Sequence, residues 1–591
     1  MLELITRTKK STTGQGGALL AKALRAEGVE TVFGIPDGTY LGLIANLEGE
    51  GIRLIPPRHE TSAVHMAGAY ARFSGKLGVC IASNGPGVAN ALPGVAVENA
   101  EGNRVLLITS ARRTGTVHPE RAGTFQSFPQ VEVTRPMTKW SARVPSMERL
   151  PDLLRKAFRV AWSGRPGVVH LDVPEDLLNG KFELPEVGAP SSYRRVEAIA
   201  PSRAQVERAA DLLLSAEKPM IHAGSGVLHA RAFAALAEVA RTLHAPVTTS
   251  WGARSVVDER EGFAVPLVHV GLNNAVRNEA DAVLLIGSRL GETDWWGKAP
   301  YWAKEQQVVQ VDVDEATLGL NKPVDLAIVA DAKAFLEELA EVLRARKSEV
   351  DVAARRAWLL SIQDRRAKAR AKLDKKLSDR ESPLHSAQVA HVCQKVFADD
   401  SILILDGGNT VIWGNFFHEV RQPNSVMTTF KMGMLGAGVP HALGAKAANP
   451  ERQVYCVIGD GAFGFQPQEL ETAVRSGLKV TYVVLCDKQW GMVKINQSFN
   501  LKPIKTLVRK HLDPSETVNT ELGEVAWDEM ARTYGAYGER VSSPDQLEAA
   551  LRRCTRQGRP AVVHVDVDPV KHMWAPELKT FKDMHAEPEG K

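Results

Sequence analysis

The chain has 591 residues, of which 44% are hydrophobic and 24% charged, a composition that fits a globular protein of roughly three or four domains. Its formal net charge of +4 is too weak to indicate nucleic-acid binding. The N-terminus lacks the apolar core of a signal peptide, and no run is apolar for long enough to span a membrane. The five cysteines show no C-x-x-C spacing, so buried free thiols are expected. We therefore expect a soluble, cytoplasmic protein with no nucleic-acid or membrane partner.

Short β-rich runs, Gly-rich turns and helical stretches alternate along the chain, a pattern typical of parallel sheets covered by helices. In a first block we predict a helix over residues 17–27 and strands at residues 31–35, 78–82, 105–109 and 168–173. A Pro-rich linker at residues 185–201 ends this block.

Two further blocks follow the same pattern. In the second block the predicted strands are residues 219–222, 246–249, 282–287, 308–313 and 327–329, followed by helices at 332–346 and 355–380. In the third block they are residues 402–405, 454–458, 481–485 and 561–567. The first and third blocks share one strand–helix rhythm. The predicted fold class is α/β, with three doubly wound parallel-sheet domains.

The sharpest chemical signal is a Gly-Asp-Gly turn at residues 459–461, which follows a predicted strand and precedes a predicted helix at 466–476. The small residues Gly459, Gly461 and Ala462 let backbone N–H groups approach a diphosphate, and the N-terminus of a helix favours its negative charge. Asp460 and Asp487 follow two neighbouring strands and can converge on one Mg²⁺ ion. Gly-Asp-Gly is also common in ordinary turns, so the spacing to Asp487 carries the argument.

The stretch from residue 459 to residue 489 resembles the thiamine diphosphate (ThDP) motif of the decarboxylase and acetolactate synthase superfamily, in which Gly-Asp-Gly precedes Asn-Asn at a fixed spacing. The resemblance implies that Mg²⁺ is bound by Asp460, by the side chain of Asp487 and by the backbone carbonyl of Gln489. Here Asp487 stands where the family has its second Asn. An Asp keeps an oxygen ligand and adds a charge, which a hard cation accepts.

Residues 57–72 resemble the family segment that carries the catalytic glutamate, which places that role on Glu60. The implied chemistry is a hydrogen bond from Glu60 to the pyrimidine nitrogen N1′, which promotes the imino tautomer that takes the proton from the thiazolium C2 carbon. A buried carboxyl group with a raised pKa suits this task. The alternative is an exposed Glu60 that caps the helix following it.

Further cofactor contacts follow from the same resemblance. Residues 83–90 are similar to the family turn near the pyrimidine, which makes Asn84 a cofactor-binding residue. The pair Phe125 and Gln126 matches a Phe-Gln pair that reaches the active site in acetolactate synthases. We therefore expect a catalytic role for Gln126 and a place in the substrate pocket for Phe125.

The third block supplies the remaining matches. Residues 433–440 are similar to the segment whose first carbonyl, here that of Gly433, accepts from the cofactor 4′-amino group. Leu435 would be the apolar wedge that holds ThDP bent, or simply a core residue. Asn409 and Thr410 occupy the place of a diphosphate loop.

The resemblance covers roughly residues 12–570 and implies a domain organisation. Its parts are a pyrimidine-binding domain at 1–185, a central domain at 195–350, a diphosphate-binding domain at 383–568 and a C-terminal tail at 569–591 that is a candidate lid. It also implies a homodimer or homotetramer whose active sites lie at the subunit interface.

The implied activity is that of a ThDP- and Mg²⁺-dependent carbon–carbon lyase or carboligase. Acetolactate synthases hold the second 2-oxoacid with an Arg and a Trp, and in this sequence Thr293 and Asn496 stand at those positions. Losing the bidentate Arg weakens the binding of a 2-oxoacid acceptor. We therefore predict a 2-hydroxyacyl-CoA lyase type, acting by cleavage or by acyloin-type condensation with an acyl-CoA. The alternatives are an acetolactate synthase-like 2-oxoacid decarboxylase or carboligase, and a non-catalytic protein that kept the fold.

Two weaker expectations complete the prediction. Arg289, Lys298 and the pair at 295–296 could bind ADP or CoA in the central domain, unless these aromatic residues only pack the domain. FAD is the other central-domain cofactor that the family analogy allows. The substrate pocket is predicted to include Met492, Val493 and Trp574.

Overall fold

The computed structural model describes residues 12–117 and 120–578, and the chain divides into two compact units. The first unit is Met1–Glu197 with Leu443–Asn449, and the second is Ala198–Ala442 with Pro450–Lys591. None of the helices in the described residues is both long and apolar enough to cross a membrane. All five cysteines are buried free thiols, as predicted.

The first block of the chain forms a six-stranded parallel sheet and a separate antiparallel pair. Its strands are β1 (Thr12–Gln15), β2 (Thr31–Gly34), β3 (Arg53–Ile55), β4 (Gly78–Ala82), β5 (Val105–Ala111), β6 (Trp140–Arg143), β7 (Val168–Pro174) and β8 (Lys181–Leu184). Its helices are α1 (Gly16–Ala26), α2 (Leu41–Leu47), α3 (Glu60–Ser74), α4 (Pro86–Glu101), α5 (Thr114–Val117), α6 (Gln130–Thr134), α7 (Leu150–Trp162) and α8 (Glu175–Asn179). The six-stranded sheet has the order β3-β2-β4-β5-β7-β6, while β1 pairs with β8. The central strands β4, β5 and β7 are buried along their whole length because helices cover both faces.

The second block forms a five-stranded parallel sheet with the order β10-β9-β11-β12-β13. Its strands are β9 (Pro219–Ala223), β10 (Val247–Thr249), β11 (Ala282–Ile286), β12 (Gln307–Asp312) and β13 (Leu326–Val329). Its helices are α9 (Arg203–Ser215), α10 (Ser225–His229), α11 (Phe233–Leu243), α12 (Val270–Glu279), α13 (Ala332–Ala345) and α14 (Val352–Asp374). The helix α14 corresponds to the charged connecting helix predicted from the sequence. Its buried Arg355 donates to the carbonyls of Leu213, Leu214 and Ala216, which fastens α14 to the end of α9.

The third block forms a six-stranded parallel sheet with the order β15-β14-β16-β17-β19-β18. Its strands are β14 (Ile402–Asp406), β15 (Val426–Met427), β16 (Val454–Gly459), β17 (Val480–Cys486), β18 (Tyr537–Val541) and β19 (Ala561–Asp566). Its helices are α15 (Ala387–Val396), α16 (Asn409–Phe417), α17 (Gly438–Ala448), α18 (Asp460–Phe463), α19 (Glu469–Arg475), α20 (Gly491–Leu501), α21 (Pro503–Arg509), α22 (Trp527–Thr533), α23 (Pro544–Arg556) and α24 (Pro569–Met573). This strand order is that of the first block, which confirms their shared rhythm.

One predicted helix is present but begins three residues later than the sequence indicates. The sequence predicts a helix at residues 466–476 after the Gly-Asp-Gly turn, but the structure has the short helix α18, which Asp460 itself opens, and then α19 from Glu469. The interruption includes Pro467, whose ring disfavours a helical conformation at the preceding residue. The Gly-Asp-Gly turn is therefore closed by one helical turn before the longer helix begins.

Candidate active site

Three strands of the third sheet end side by side and bring the predicted metal ligands to one edge. The parallel register pairs Asp406 on β14 with Ile458 on β16, and Gly459 on β16 with Leu485 on β17. The residues that follow these strands therefore leave the sheet at the same edge, where open α/β sheets bind ligands. Asp460 and Asp487 both lie there.

Backbone hydrogen bonds hold Asp460 in place. Its carboxylate accepts from the N–H of Gly461 at 2.8 Å and from the N–H of Lys488 at 2.9 Å, and only 6% of the residue is exposed. The second bond ties the Gly-Asp-Gly turn to the segment after β17. Asp487 is 8% exposed, and its carboxylate accepts from the side-chain amide of Gln489 at 3.1 Å. The Gln489 side chain also donates to the carbonyl of Pro569.

Both carboxyl groups have raised pKa values, mainly because they are buried. Burial, together with the charge of Asp487, raises the pKa of Asp460 to about 7. Burial also raises the pKa of Asp487 to about 7, although hydrogen bonds from Gln489 and Asp460 oppose the shift. Both carboxyl groups are buried at the same edge, so their charges would repel each other, and a divalent cation between them would offset this repulsion and the cost of burial. The donor set therefore fits Mg²⁺.

The N-terminus of α16 adds unpaired polar atoms to this edge. Asn409 is 3% exposed, and neither its side-chain oxygen nor its nitrogen has a hydrogen-bond partner. A Cβ atom at Gly491 would lie 2.8 Å from the Asn409 nitrogen and 3.0 Å from a carboxylate oxygen of Asp487, so only glycine fits between them. Because a buried amide without partners is costly, this edge of the sheet suits a polar ligand such as a diphosphate.

Thr410 lies beside the Gly-Asp-Gly turn. Its hydroxyl oxygen is 3.0 Å from the position that a Cβ atom at Gly459 would occupy. Gly459, Gly461 and Ala462 follow in one tight turn, with Ala462 buried. The structure thus brings together the residues predicted for the diphosphate and the cation.

The remaining predicted residues of the third block lie in loops around this edge. Gly433 has a left-handed backbone with φ of 59°, and Leu435, two residues later, is half-buried. Met492 packs against Gly408, where an added Cβ would come within 2.9 Å of the Met492 Cβ. Val493 is 50% exposed. Trp574 is half-buried, and its indole donates to the carbonyl of Lys510 at 2.7 Å.

In the first unit, Asn84 and Gln126 are brought together. Asn84 is buried and donates from its side chain to the Gln126 carbonyl at 2.8 Å. Gly85 has a φ of 67°, and a Cβ atom there would lie 2.8 Å from the same carbonyl. Gln126 itself has a φ of 53°, and its neighbour Phe125 is 74% exposed. The structure therefore holds the Phe-Gln loop at the turn that follows β4.

Glu60 is the first residue of α3 and is half-buried. The side-chain amide of Asn90 donates to its carboxylate at 3.1 Å. The helix-capping role goes to His59, whose ring accepts from the N–H of Thr61. The alternative in which Glu60 serves as the cap is therefore wrong, whereas the catalytic role of Glu60 stays a prediction.

Sequence reasoning missed the polar network that supports this turn. Gln130 accepts from the N–H of Gly85 at 3.4 Å and donates to the carbonyl of Ser110 at 2.8 Å and to the carboxylate of Asp172. Ser110 in turn receives the N–H of Asn84 at 2.9 Å. Gln130 lies only four residues after Gln126, but nothing in its sequence context marks it as a ligand of a distant turn.

The predicted nucleotide contacts of the central domain fall in different environments. Trp295 is 1% exposed and stacks on Tyr301 with ring centroids 3.4 Å apart, so it is a core residue. Trp296 and Lys298 are half-buried. Binding of ADP, CoA or FAD stays a prediction, and it cannot use the face of Trp295 that Tyr301 covers.

The positions that distinguish acetolactate synthases are also visible. Thr293 is half-buried in the turn after β11, and Asn496 is exposed on α20. The lid prediction for residues 569–591 is not tested, because residues 579–591 lie outside the described part. Within that part, Met573, Ala575 and Leu578 are buried in a core cluster with Ile495.

Comparison with known proteins gives three family matches along the chain. Residues 14–133 match the N-terminal TPP binding domain of thiamine pyrophosphate enzymes, residues 206–339 match the central domain, and residues 406–565 match the C-terminal TPP binding domain. Thiamine pyrophosphate is another name for ThDP. Both clusters of predicted site residues therefore fall in TPP binding domains.

Similar proteins cover nearly the whole chain. The acetolactate synthase large subunit of Haemophilus influenzae is 30% identical over 576 residues, which is 95% of this chain and 96% of that protein. A probable acetolactate synthase large subunit of Methanocaldococcus jannaschii is 28% identical over 572 residues, which is 94% and 92% of the two chains. The sulfoacetaldehyde acetyltransferase of Alcaligenes xylosoxydans xylosoxydans is 29% identical over 570 residues, or 91% of each.

Proposed function

The chain belongs to the ThDP-dependent enzymes of the acetolactate synthase-like superfamily, and from this premise we propose that it is a 2-oxoacid decarboxylase and carboligase. The relatives favour this alternative over the 2-hydroxyacyl-CoA lyase that the sequence suggested first, since two of them are acetolactate synthases. The observation that carries the proposal is the cluster of Asp460, Asp487 and Asn409: two buried carboxyl groups with raised pKa values beside an amide that has no partner.

In the proposed site, each residue has a defined task. Asp460, the side chain of Asp487 and the carbonyl of Gln489 hold Mg²⁺, while Asn409 and Thr410 donate to the diphosphate. Backbone groups of Gly459, Gly461 and Ala462 let the phosphates approach closely. The unpaired Asn409 amide and the carboxyl pair support these roles, since a diphosphate–Mg²⁺ complex would satisfy both.

Bound ThDP supplies a carbon nucleophile that attacks a carbonyl and stabilises the charge left by decarboxylation. Glu60 is assigned the proton at the pyrimidine nitrogen N1′, and the Asn90 amide keeps its carboxylate oriented. The Gly433 carbonyl is assigned to the 4′-amino group and Leu435 to the wedge under the cofactor. Asn84 and Gln126 shape the turn near the pyrimidine.

The proposed organisation follows the family pattern. We infer a pyrimidine-binding domain at 1–185, a central domain at 195–350 and a diphosphate-binding domain at 383–568, assembled into a homodimer or homotetramer. Sedimentation of the purified protein tests the assembly, and a monomer at working concentration would contradict it.

Substrate choice is tested by product analysis. The protein, loaded with ThDP and Mg²⁺, is expected to release carbon dioxide from pyruvate and to form acetolactate, and Glu60→Gln serves as the inactive control. Formation of an aldehyde or ketone and formyl-CoA from a 2-hydroxyacyl-CoA would instead support the lyase. Because Thr293 and Asn496 stand where the family has Arg and Trp, the assay also includes aldehyde acceptors.

A further inference from the structure

His572 lies inside the third block beside the predicted diphosphate residues, although it belongs to the C-terminal helix α24. It is 3% exposed. Its ring nitrogen Nδ1 is 2.6 Å from the hydroxyl oxygen of Ser386, and its Nε2 is 3.4 Å from the hydroxyl oxygen of Thr410. One imidazole ring therefore bridges two hydroxyl groups that are 24 residues apart in sequence.

We propose that Ser386, His572 and Thr410 form a hydroxyl–imidazole–hydroxyl relay that orients the Thr410 hydroxyl as a donor to the ThDP diphosphate. This inference rests on the proposed function. A neutral imidazole has one donor and one acceptor nitrogen. When the Ser386 hydroxyl donates to Nδ1, the proton is on Nε2 and points to the Thr410 oxygen. The Thr410 hydroxyl then accepts from His572 and keeps its own hydrogen for another acceptor.

The position of Thr410 indicates where that hydrogen goes. Its oxygen lies 3.0 Å from the Cβ position of Gly459 and 3.6 Å from that of Gly407, so it faces the two glycine turns at the edge of the sheet. Its neighbour Asn409 has two unpaired side-chain atoms at the same edge. A diphosphate oxygen accepting from both residues would satisfy these atoms together.

The backbone of α24 is held without the imidazole ring. The indole of Trp413 donates to the His572 carbonyl at 2.8 Å, and the Asp568 carboxylate accepts from the N–H groups of Val570 and Lys571. The Lys571 ammonium also contacts the Asp379 carboxylate at 2.6 Å. Changing only the ring of His572 should therefore leave the segment docked, and His572 acts as a positioning residue.

The test compares ThDP affinities, measured by calorimetry at saturating Mg²⁺. His572→Phe keeps the ring volume but removes both hydrogen bonds, and we expect affinity to fall roughly tenfold. His572→Gln can place an amide donor near the former Nε2 and should stay within about threefold of the wild-type affinity. Lys571→Arg, on the same helix but outside the relay, keeps a cation for Asp379 and should bind as the wild type does.

A double-mutant cycle and hydrogen exchange test the mechanism. Because His572 acts through Thr410, His572→Phe should add little to the loss caused by Thr410→Val. ThDP with Mg²⁺ should protect the amides of residues 569–578 from exchange in the wild type, and much less in His572→Phe.

Three results would overturn the relay. They are a wild-type affinity in His572→Phe, an equal loss in His572→Gln and His572→Phe, or full additivity with Thr410→Val. If His572→Phe does not fold, Ser386→Ala decides, because it frees the ring tautomer and should lower affinity about threefold; an unchanged affinity would reject the relay. A wild-type protein that binds no ThDP would reject the proposed function, whereas a binding wild type with unaffected variants rejects only the relay.

Discussion

The two six-stranded sheets have one strand order but different chemistry at the edge where their sites are proposed. In the first block this edge carries Asn84, Ser110 and Gln130, which bond to one another, to nearby backbone groups and to the carboxylate of Asp172. In the third block it carries Asp460 and Asp487, whose carboxyl groups crowd each other in a buried place. The shared strand order thus fixes the edge at which a site can form. The side chains at that edge determine whether its polar groups are satisfied within the protein or need a ligand.

The difference has an energetic meaning. Buried polar groups that hydrogen-bond to one another stabilise a single loop conformation, and the hydrogen bonds of Gln130 do so for the Phe-Gln loop. Buried groups that lack partners, such as Asn409, reduce stability until a ligand arrives. The comparison therefore predicts that changes at the third-block edge act mainly on cofactor binding. Changes at the first-block edge should act on turnover and on local structure.

The largest expected effect is on metal-dependent binding. Asp460→Ala removes a proposed Mg²⁺ ligand and should weaken ThDP binding roughly 100-fold or more, because loss of a ligand costs more than the loss of a group that only orients one, about 10–100-fold. Calorimetry with and without Mg²⁺ measures it. Asp566→Asn is a matched control: Asp566 ends the neighbouring strand β19 and pairs with Arg540. Equal ThDP affinities for Asp460→Ala and Asp566→Asn would contradict the assignment of cofactor binding to the third-block edge.

The next effect separates chemistry from binding. Glu60→Gln should lower kcat by about 10² to 10⁴-fold, since the amide cannot take or return a proton. ThDP affinity should stay near that of the wild type because the amide keeps the size of the side chain. Asn90→Ala, which removes the bond to Glu60, should give a smaller loss of kcat. Unchanged turnover in Glu60→Gln would show that the first-block edge does not act in catalysis.

A smaller effect concerns the turn after β4. Gly85→Ala should cost about 1–3 kcal/mol of unfolding free energy and disturb the Phe-Gln loop, because the new Cβ would lie 2.8 Å from the Gln126 carbonyl at a left-handed φ. Gly28→Ala is the control, since Gly28 has a similar φ of 77° but open space around it. Denaturant titration of both variants isolates the cost of the close contact. Equal losses of unfolding free energy in the two variants would mean that a small backbone shift relieves the contact between the new Cβ and the Gln126 carbonyl.

The smallest effect is a pH dependence of the metal-free protein. Burial raises the pKa of Asp460 to about 7 in the folded state, above its usual value, so the folded state holds this proton more tightly than the unfolded state. Stability should therefore fall as pH rises from about 4 to about 7, and Asp460→Asn should be less sensitive and melt a few degrees higher at pH 8. Mg²⁺ should reverse the trend in the wild type, since it competes with protons. Scanning calorimetry across pH, once with chelator and once with Mg²⁺, measures both pH dependences of stability. If the wild type and Asp460→Asn showed the same pH dependence in chelator, the raised pKa of Asp460 would be contradicted.

Much of the fold was readable because central strands are continuous apolar runs. Residues 78–82 and 105–109 were predicted as strands and lie in β4 and β5. Edge strands were missed: Arg53–Ile55, Trp140–Arg143 and Tyr537–Val541 are only partly buried and carry charged residues. A strand that buries one side for only a few residues leaves little pattern in the sequence.

The site could be predicted for Asp460 and Asp487, because each directly follows a strand and the two strands are neighbours in the sheet. Contacts between distant segments were not readable. The sequence does not show that Gln130 supports Gly85, or that His572 lies between Ser386 and Thr410. Such contacts depend on loop paths, which local propensity and spacing do not encode.

The route of residues 569–573 has a consequence for biosynthesis. Trp413 and Ser386 both bond to His572, which is translated after the proposed diphosphate and Mg²⁺ residues. A nascent chain cannot assemble this corner until α24 has left the ribosome, even though its sheets can fold earlier. Vitamin loading would then be a late event in maturation, and a product released early by a premature stop codon would stay empty and visible to cellular proteases.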